Sequence, residues 1–335
     1  MYIPFTVRIL TTLVLLSSTM LLADWASARP APKEIGKEPA AIAPSPTTLA
    51  PRVLGKYRDF SRYKKAAPDY ALSTAQSRVL RTLSAQSAII IDGASRETLF
   101  AKNPHSPRQP ASTIKVLTGM IALKALGQDD TVAVSPKAAR QPRSKVYLDH
   151  RKHYPVHDLI NAVLLSSAND ASVALAEKIA GSESTFAKIM TLRARLWGAR
   201  ETVCKTATGL TANGQQSTAS DLALIFKHAM DDKEFARRMK HTKARTVEGK
   251  VLRNHNKALW QIEGAEGGKT GYTSAARQTY VGKFKRGEDE IIIALMGSER
   301  MWSDLKELVE YGFLKKQILA TEKSTENVLV ADTAE

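Results

Sequence analysis

A single cysteine occurs among the 335 residues, so no intrachain disulfide can form in any compartment. That cysteine, Cys204, lies in Thr202-Val203-Cys204-Lys205, which reads as a short strand. A buried inert thiol accounts for it better than the nucleophile of a Cys/His protease. Past residue 28 no run is long and apolar enough to cross a bilayer, and no internal repeat is present. Acidic residues are also in deficit: 33 Asp and Glu face 49 Lys and Arg, a formal net charge of +16. Such an excess suits polyanionic surroundings (nucleic acid, phospholipid headgroups or a cell-wall polymer), or it simply keeps the protein soluble.

The first 28 residues differ from the rest. Arg8 gives a weakly positive start, Ile9 to Ala23 form a largely apolar stretch, and Ala26-Ser27-Ala28 supply small residues for cleavage. The expectation is a secretory signal peptide; an uncleaved anchor is the alternative, although Thr11, Thr12, Ser17, Ser18 and Thr19 dilute the apolar run. Export to the periplasm or another extracytoplasmic wall space opposes nucleic acid as a partner. Residues 29–70 hold seven of the 14 prolines and nine Lys/Arg against four Asp/Glu. They read as a disordered basic linker, able to touch membrane or wall polymer peripherally.

Residues 71–317 read as one folded domain. Ser87 to Gly93 suggests a strand and turn, with Thr98 to Lys102 as its hairpin partner. Helices are expected over Ser112 to Leu126, ended by a left-handed cap at Gly127, over Val156 to Leu165, and over Asp170 to Ala180, stopped by Gly181. Another is expected over Asp221 to Met230, capped by Ser220. Strands return at Gly268 to Thr273, Arg277 to Lys285 and Glu290 to Gly297, and Trp302 to Phe313 reads as an amphipathic closing helix. Strand pairs at both ends around a helical insert imply one antiparallel sheet joining chain start to chain end. Residues 318–335 read as a disordered tail.

Three short strings carry chemistry: Ser112-Thr113-Ile114-Lys115, Ser167-Ala168-Asn169 and Lys269-Thr270-Gly271. S-x-x-K alone is weak, because Ser61-Lys64 and Ser303-Lys306 repeat it in polar contexts. Only Ser112 opens a helix that is apolar nearly all round, with Ile114, Val116, Leu117, Met120, Ile121 and Leu123. A spacing of three puts the Ser112 hydroxyl and Lys115 amine on one helix face. Burial lowers the lysine pKa, so the amine can take the proton that keeps a serine hydroxyl a poor nucleophile. Gly268-Lys269-Thr270 lacks the glycine that a phosphate-binding P-loop carries five positions earlier, where Glu263 stands, and it continues as strand. Ser167-Ala168-Asn169 alone also fits a capped turn between helices. His150, His153 and His157 lack a Glu/Cys signature, and Pro155 breaks any shared helix face, so no metal site is expected.

In this order, and with Ala207-Thr208-Gly209-Leu210, Ser217-Thr218-Ala219-Ser220-Asp221-Leu222 and Tyr272-Thr273 around them, these strings resemble the low-molecular-mass D-alanyl-D-alanine carboxypeptidases among penicillin-binding proteins. The resemblance spans about residues 85–315. It implies an α/β fold of the penicillin-binding protein/β-lactamase-like transpeptidase type: an antiparallel sheet flanked by helices, with a helical insert. It implies that Ser112 attacks the D-Ala-D-Ala carbonyl of a peptidoglycan stem peptide to form an acyl-enzyme, with Lys115 as general base and Ser167 as proton relay. Asn169 would hold the substrate amide and the lysine, while Lys269 and Thr270 take the substrate carboxylate and Gly271 lets the strand come close. Backbone N–H groups of Ser112 and Tyr272 would form the oxyanion hole. No cofactor is implied, and β-lactams would acylate Ser112.

Alternatives stay open at this point. A D-alanyl-D-alanine endopeptidase that cleaves cross-links would share every motif. A class A β-lactamase would carry Glu-x-x-Leu-Asn between Asn169 and Lys269, which is missing; glutaminases of this fold and a non-catalytic wall-binding protein are weaker rivals.

Overall fold

The computed structural model describes residues 67–332 apart from Gln128. The leader and the linker as far as residue 66 lie outside the described residues. The first helix, α1 (Ala67–Thr82), begins inside the stretch assigned to the linker. Strands β1 (Ser87–Asp92) and β2 (Thr98–Lys102) follow as an antiparallel hairpin. A single 3-10 turn, Ala111–Ile114, then leads into α2 (Lys115–Ala125).

The helical insert contains α3 (Val156–Leu164), α4 (Asn169–Ala180), α5 (Glu183–Leu196), α6 (Ala219–Met230) and α7 (Lys233–Met239). Two small hairpins attach to it, β3 (Thr131–Ala133) with β4 (His153–Pro155), and β5 (Lys243–Arg245) with β6 (Val251–Arg253). Strands β7 (Ala265–Thr273), β8 (Arg277–Arg286) and β9 (Asp289–Ser298) return to the first hairpin, and α8 (Met301–Asp332) closes the chain.

The main sheet runs β2-β1-β9-β8-β7 and every pairing in it is antiparallel. Ser87 lies opposite Met296 and Asp92 opposite Ile291, so chain start and chain end meet in mid-sheet as expected. Both faces are covered, which is why β1 reads as an unbroken apolar run rather than an alternation. Ile89, Ile91, Ile292 and Ala294 face the core shared with the helical insert. Ala88, Ile90, Ile291 and Ile293 alternate with them and face the core formed with α1 and α8.

Several expected boundaries move. Ser112 sits in the 3-10 turn, and α2 starts only at Lys115. Gly127 provides no left-handed cap, because the helix ends at an extended Leu126. Thr218 rather than Ser220 caps α6, its hydroxyl accepting from Asp221 N at 3.0 Å. Residues 202–205 form no strand beyond an isolated Val203–Gln216 bridge. The closing helix does not stop at Phe313: residues 318–332 continue it where a disordered tail was expected. No Pro or Gly follows Gly312 to break it. Among the described residues, no helix is long and apolar enough to cross a membrane.

Candidate active site

The three strings meet where the 3-10 turn, the α3–α4 connection and β7 come together. Ser112 is half-buried at the mouth, and Lys115 behind it is fully buried. Lys115 Nζ lies 2.9 Å from Ser112 Oγ, 2.7 Å from Asn169 Oδ1 and 2.6 Å from the Thr208 carbonyl oxygen. Asn169 and Thr208 offer only acceptors to the amine. A neutral amine has two N–H donors and one lone pair, so these two acceptors leave the lone pair for the Ser112 hydroxyl proton. Burial first, and then the positive charge of Lys269, hold Lys115 well below the ordinary lysine range, although Glu183 and Asp170 oppose the shift.

Lys269 makes a second serine–lysine pair. It is buried, its Nζ donates to Ser167 Oγ at 2.9 Å and to Thr270 O at 3.1 Å, and burial lowers its pKa to about 7. Thr270 beside it is half-buried, and the Tyr272 side chain is exposed at the rim.

Backbone constraints set these positions. Asn169 opens α4, with its N–H donating to Ser144 O at 2.7 Å and its amide nitrogen to Pro142 O at 3.0 Å and Arg143 O at 3.2 Å. The next residue, Asp170, is buried and accepts from Val146 N and Leu148 N. One helix start therefore both fixes the lysine's acceptor and gathers the 142–148 segment. Ser167 and Ala111 adopt left-handed backbone at φ 57° and 49°. For residues with a Cβ this costs about 1–3 kcal/mol each, and such strain concentrates at sites of function.

Gly271 is required by contact: a Cβ there would stand 2.8 Å from Ser112 N and 2.5 Å from Thr279 Oγ1. The Thr279 hydroxyl in turn donates to Pro110 O at 3.0 Å, pinning the approach to Ser112 against β8. The 207–210 segment is held by Thr118 Oγ1, which donates to Ala207 O at 2.7 Å, and by Glu183, which accepts from Ala207 N at 3.0 Å.

Of the eight residues singled out from sequence, Ser112, Lys115 and Asn169 are joined by hydrogen bonds, as are Ser167 and Lys269, and Thr270, Gly271 and Tyr272 follow Lys269 along β7. Two further residues near these groups were not singled out as site residues from sequence, although Thr208 lies in the Ala207-Thr208-Gly209-Leu210 string. The Thr208 carbonyl acts through its backbone, which no residue type announces. His255 follows β6, with its backbone N–H donating to Leu165 O at 3.1 Å. Surrounding atoms desolvate its ring although the residue keeps exposed surface, and the charges of Lys269 and Lys115 add to this, so its pKa falls to about 4. His153 and His157, by contrast, lie on separate elements, β4 and α3, and His157 Nε2 stands 3.3 Å from Asp158. Among the described residues no group of three His, Cys, Asp or Glu side chains is placed to hold a metal ion. Cys204 is buried and its thiol is pushed up to about 12 by burial, which leaves it unreactive.

A sheet with a helical insert and a serine–lysine pair at their junction defines the class of serine acyl-transfer enzymes. The family model for D-alanyl-D-alanine carboxypeptidase matches residues 72–300, more than half of the chain. The chain therefore belongs to the D-alanyl-D-alanine carboxypeptidase family, the low-molecular-mass penicillin-binding serine peptidases.

A D-alanyl-D-alanine carboxypeptidase of Mycobacterium tuberculosis is 34% identical over 240 residues, covering 68% of this chain and 82% of the relative. One from Bacillus subtilis is 31% identical over 228 residues, 64% of this chain. The chain spans only 57% of that relative. Among solved structures, a D-alanyl-D-alanine carboxypeptidase of M. tuberculosis matches with a TM-score of 0.65 at 33% identity, over 69% of this chain and 91% of its own. Penicillin-binding protein D2 of Listeria monocytogenes in its ampicillin-bound form matches with a TM-score of 0.63 at 28% identity, over 69% and 98%. The α/β fold with a flanked antiparallel sheet agrees with the expectation from sequence.

Proposed function

We propose that this protein is a serine D-Ala-D-Ala carboxypeptidase that trims peptidoglycan stem peptides outside the cytoplasmic membrane through an acyl-enzyme on Ser112. The observation that carries the reading is the buried Lys115 amine, 2.9 Å from Ser112 Oγ, with Asn169 Oδ1 and the Thr208 carbonyl as further acceptors around it.

The proposed steps run as follows. The stem peptide's terminal carboxylate sits at Lys269 and Thr270. Ser112 Oγ bonds to the penultimate D-alanine carbonyl carbon while its proton passes to Lys115. The developing oxyanion is met by the Ser112 and Tyr272 N–H groups, a preorganised arrangement aimed at charge that appears only in the transition state. The amide C–N bond then breaks, and the proton travels through Ser167 to the departing amine, which leaves as free D-alanine. Water, deprotonated by Lys115, cleaves the ester and restores the Ser112 hydroxyl. A β-lactam enters the same path but keeps its leaving amine tethered, so the ester persists. Residues 1–28 serve as the export signal, and the basic linker touches membrane or wall polymer.

The test is intact-mass spectrometry of the protein incubated with benzylpenicillin, beside Ser112→Ala, with D-alanine release from a pentapeptide measured in parallel. A stable one-to-one adduct and D-alanine release, both lost in Ser112→Ala, are expected. An adduct that survives the substitution would remove Ser112 from this role.

A further inference from the structure

A second concentration of positive charge lies away from Ser112 and shares no residue with its cleft. Between α3, α7 and β5 is a concave cleft of about 430 Å³. Its walls include His157 and Asn161 from α3, Arg237 and Arg238 from α7, and Lys243 and Arg245 from β5. Two carboxylates offset only part of this charge, and the first, Asp158, stands 3.3 Å from His157 Nε2. Glu234 is shared by two guanidiniums, accepting from Arg237 at 2.8 Å through each oxygen and pairing with Arg238 at 2.9 Å. Among the described residues, Lys243 and Arg245 have no carboxylate within ion-pairing range.

The floor of this cleft is fixed rather than mobile. Arg238 is buried at 4% exposure and is held by Asn161 Oδ1 at 2.7 Å and the His157 carbonyl at 3.3 Å. Arg245 is braced by one Nη1 bond to Gly249 O at 3.0 Å, which leaves the rest of its fork open. With Arg237 and Arg238 committed to Glu234, Asn161 and the His157 carbonyl, the groups left to meet a tetrahedral oxyanion are the open part of the Arg245 fork and the exposed Lys243 ammonium beside it. The volume suits one small ligand group and not a folded chain.

We propose that this cleft is a phosphate-ester binding site, which holds the enzyme by a phosphate group of its surroundings while Ser112 remains free to act. The phosphate could belong to a lipid headgroup or to a soluble phosphate ester, and the recognising chemistry is the same. Binding at this cleft does not depend on the reaction at Ser112.

The general charge of +16 is the rival explanation, so the experiment holds charge constant. Calorimetry with glycerol 3-phosphate at fixed ionic strength compares the full-length protein with Lys243→Gln/Arg245→Gln and with Lys178→Gln/Lys188→Gln, which removes two exposed cations from α4 and α5. The expected result is binding weakened at least about tenfold in the first variant and unchanged in the second, the loss of two charge-assisted contacts. Co-flotation with phosphatidylglycerol vesicles, against phosphatidylcholine, then separates the sources. Flotation lost only in the cleft variant assigns a lipid headgroup; equal flotation of all three proteins, with the calorimetric difference kept, assigns a soluble ester. Unchanged melting temperature and unchanged penicillin acylation in the variants show that the fold and Ser112 are intact. Absence of glycerol phosphate binding to the unsubstituted protein, or equal weakening in both variants, would overturn the site.

Discussion

At the scale of single residues, the proposed reaction gives the two buried lysines opposite work and so imposes opposite demands on pH. In the proposed reaction Lys115 is neutral to accept a proton, whereas Lys269 is charged to attract a carboxylate. The kcat/KM profile reports the free enzyme, in which Lys269 titrates at about 7. The expected profile rises as Lys115 loses its proton and declines above pH 7 as Lys269 loses its own. Lys269→Arg keeps the charge at all accessible pH, so its profile, though lower overall, should lose the alkaline decline. A decline that persists in Lys269→Arg would take Lys269 out of carboxylate binding.

Stability should also respond to this lysine. In the unfolded chain it keeps its proton to about pH 10.4, so between pH 7 and 8.5 the unfolded state binds more protons. Stability therefore rises with pH in that window, by up to about 1.4 kcal/mol per pH unit for each such lysine. Thermal melts at pH 7 and 8.5 check the sign, and Lys269→Met should flatten the slope.

At the scale of elements, what could be read in the sequence and what could not separate by physical cause. The sheet was legible because an apolar β-branched run such as Ile89-Ile90-Ile91 has few other uses. Helix boundaries were less so, since Ser217-Thr218-Ala219-Ser220 offers several capping hydroxyls and only packing against the Arg108 segment decides for Thr218. The candidate side chains of the site stood out because the chemistry proposed for them depends on residue type. Their supports did not, because the Thr208 carbonyl and the folds at Ser167 and Ala111 are properties of backbone path.

Gly209 shows how such a support acts. It has φ 75°, and a Cβ there would stand 2.0 Å from the Ala111 carbonyl oxygen. Gly181 has a similar φ of 72° at the end of α4 but nothing within 4 Å. Gly181→Ala should therefore cost only about 1–2 kcal/mol of backbone strain and leave penicillin acylation unchanged. Gly209→Ala must also move either Ala111, next to the proposed nucleophile Ser112, or Thr208, which holds Lys115. Its acylation rate should fall at least about tenfold, the loss expected from small misplacement in a preorganised site. Equal acylation by the two variants would show that the 207–210 segment does not position Lys115.

At the scale of the whole molecule, one buried carboxylate ties the two ends of the domain together. Asp304, at the start of α8, is 1% exposed. It accepts from Ser84 N at 3.0 Å, Ser84 Oγ at 2.7 Å, Ala85 N at 2.8 Å and Ser298 Oγ at 2.7 Å. The link from α1 to β1 and the exit of β9 thus share one acceptor, on the sheet face opposite the helical insert. Asp304→Ala would leave several buried donors without a partner, at a cost of about 3 kcal/mol, which lowers the melting temperature by about 6–12 °C in a domain of this size.

Cys204 reports whether that loss reaches the far side of the sheet. It is buried in the core shared with the helical insert, so a maleimide can reach it only through an opening of that core. If the two cores unfold as one unit through β1 and β9, the same 3 kcal/mol raises the exposed population, and the slow labelling rate of Cys204 at 25 °C, on the order of a hundredfold. A lowered melting temperature with Cys204 labelling unchanged would instead make α1 and α8 a separate unit, one that can open while the core beneath the Ser112 site stays closed.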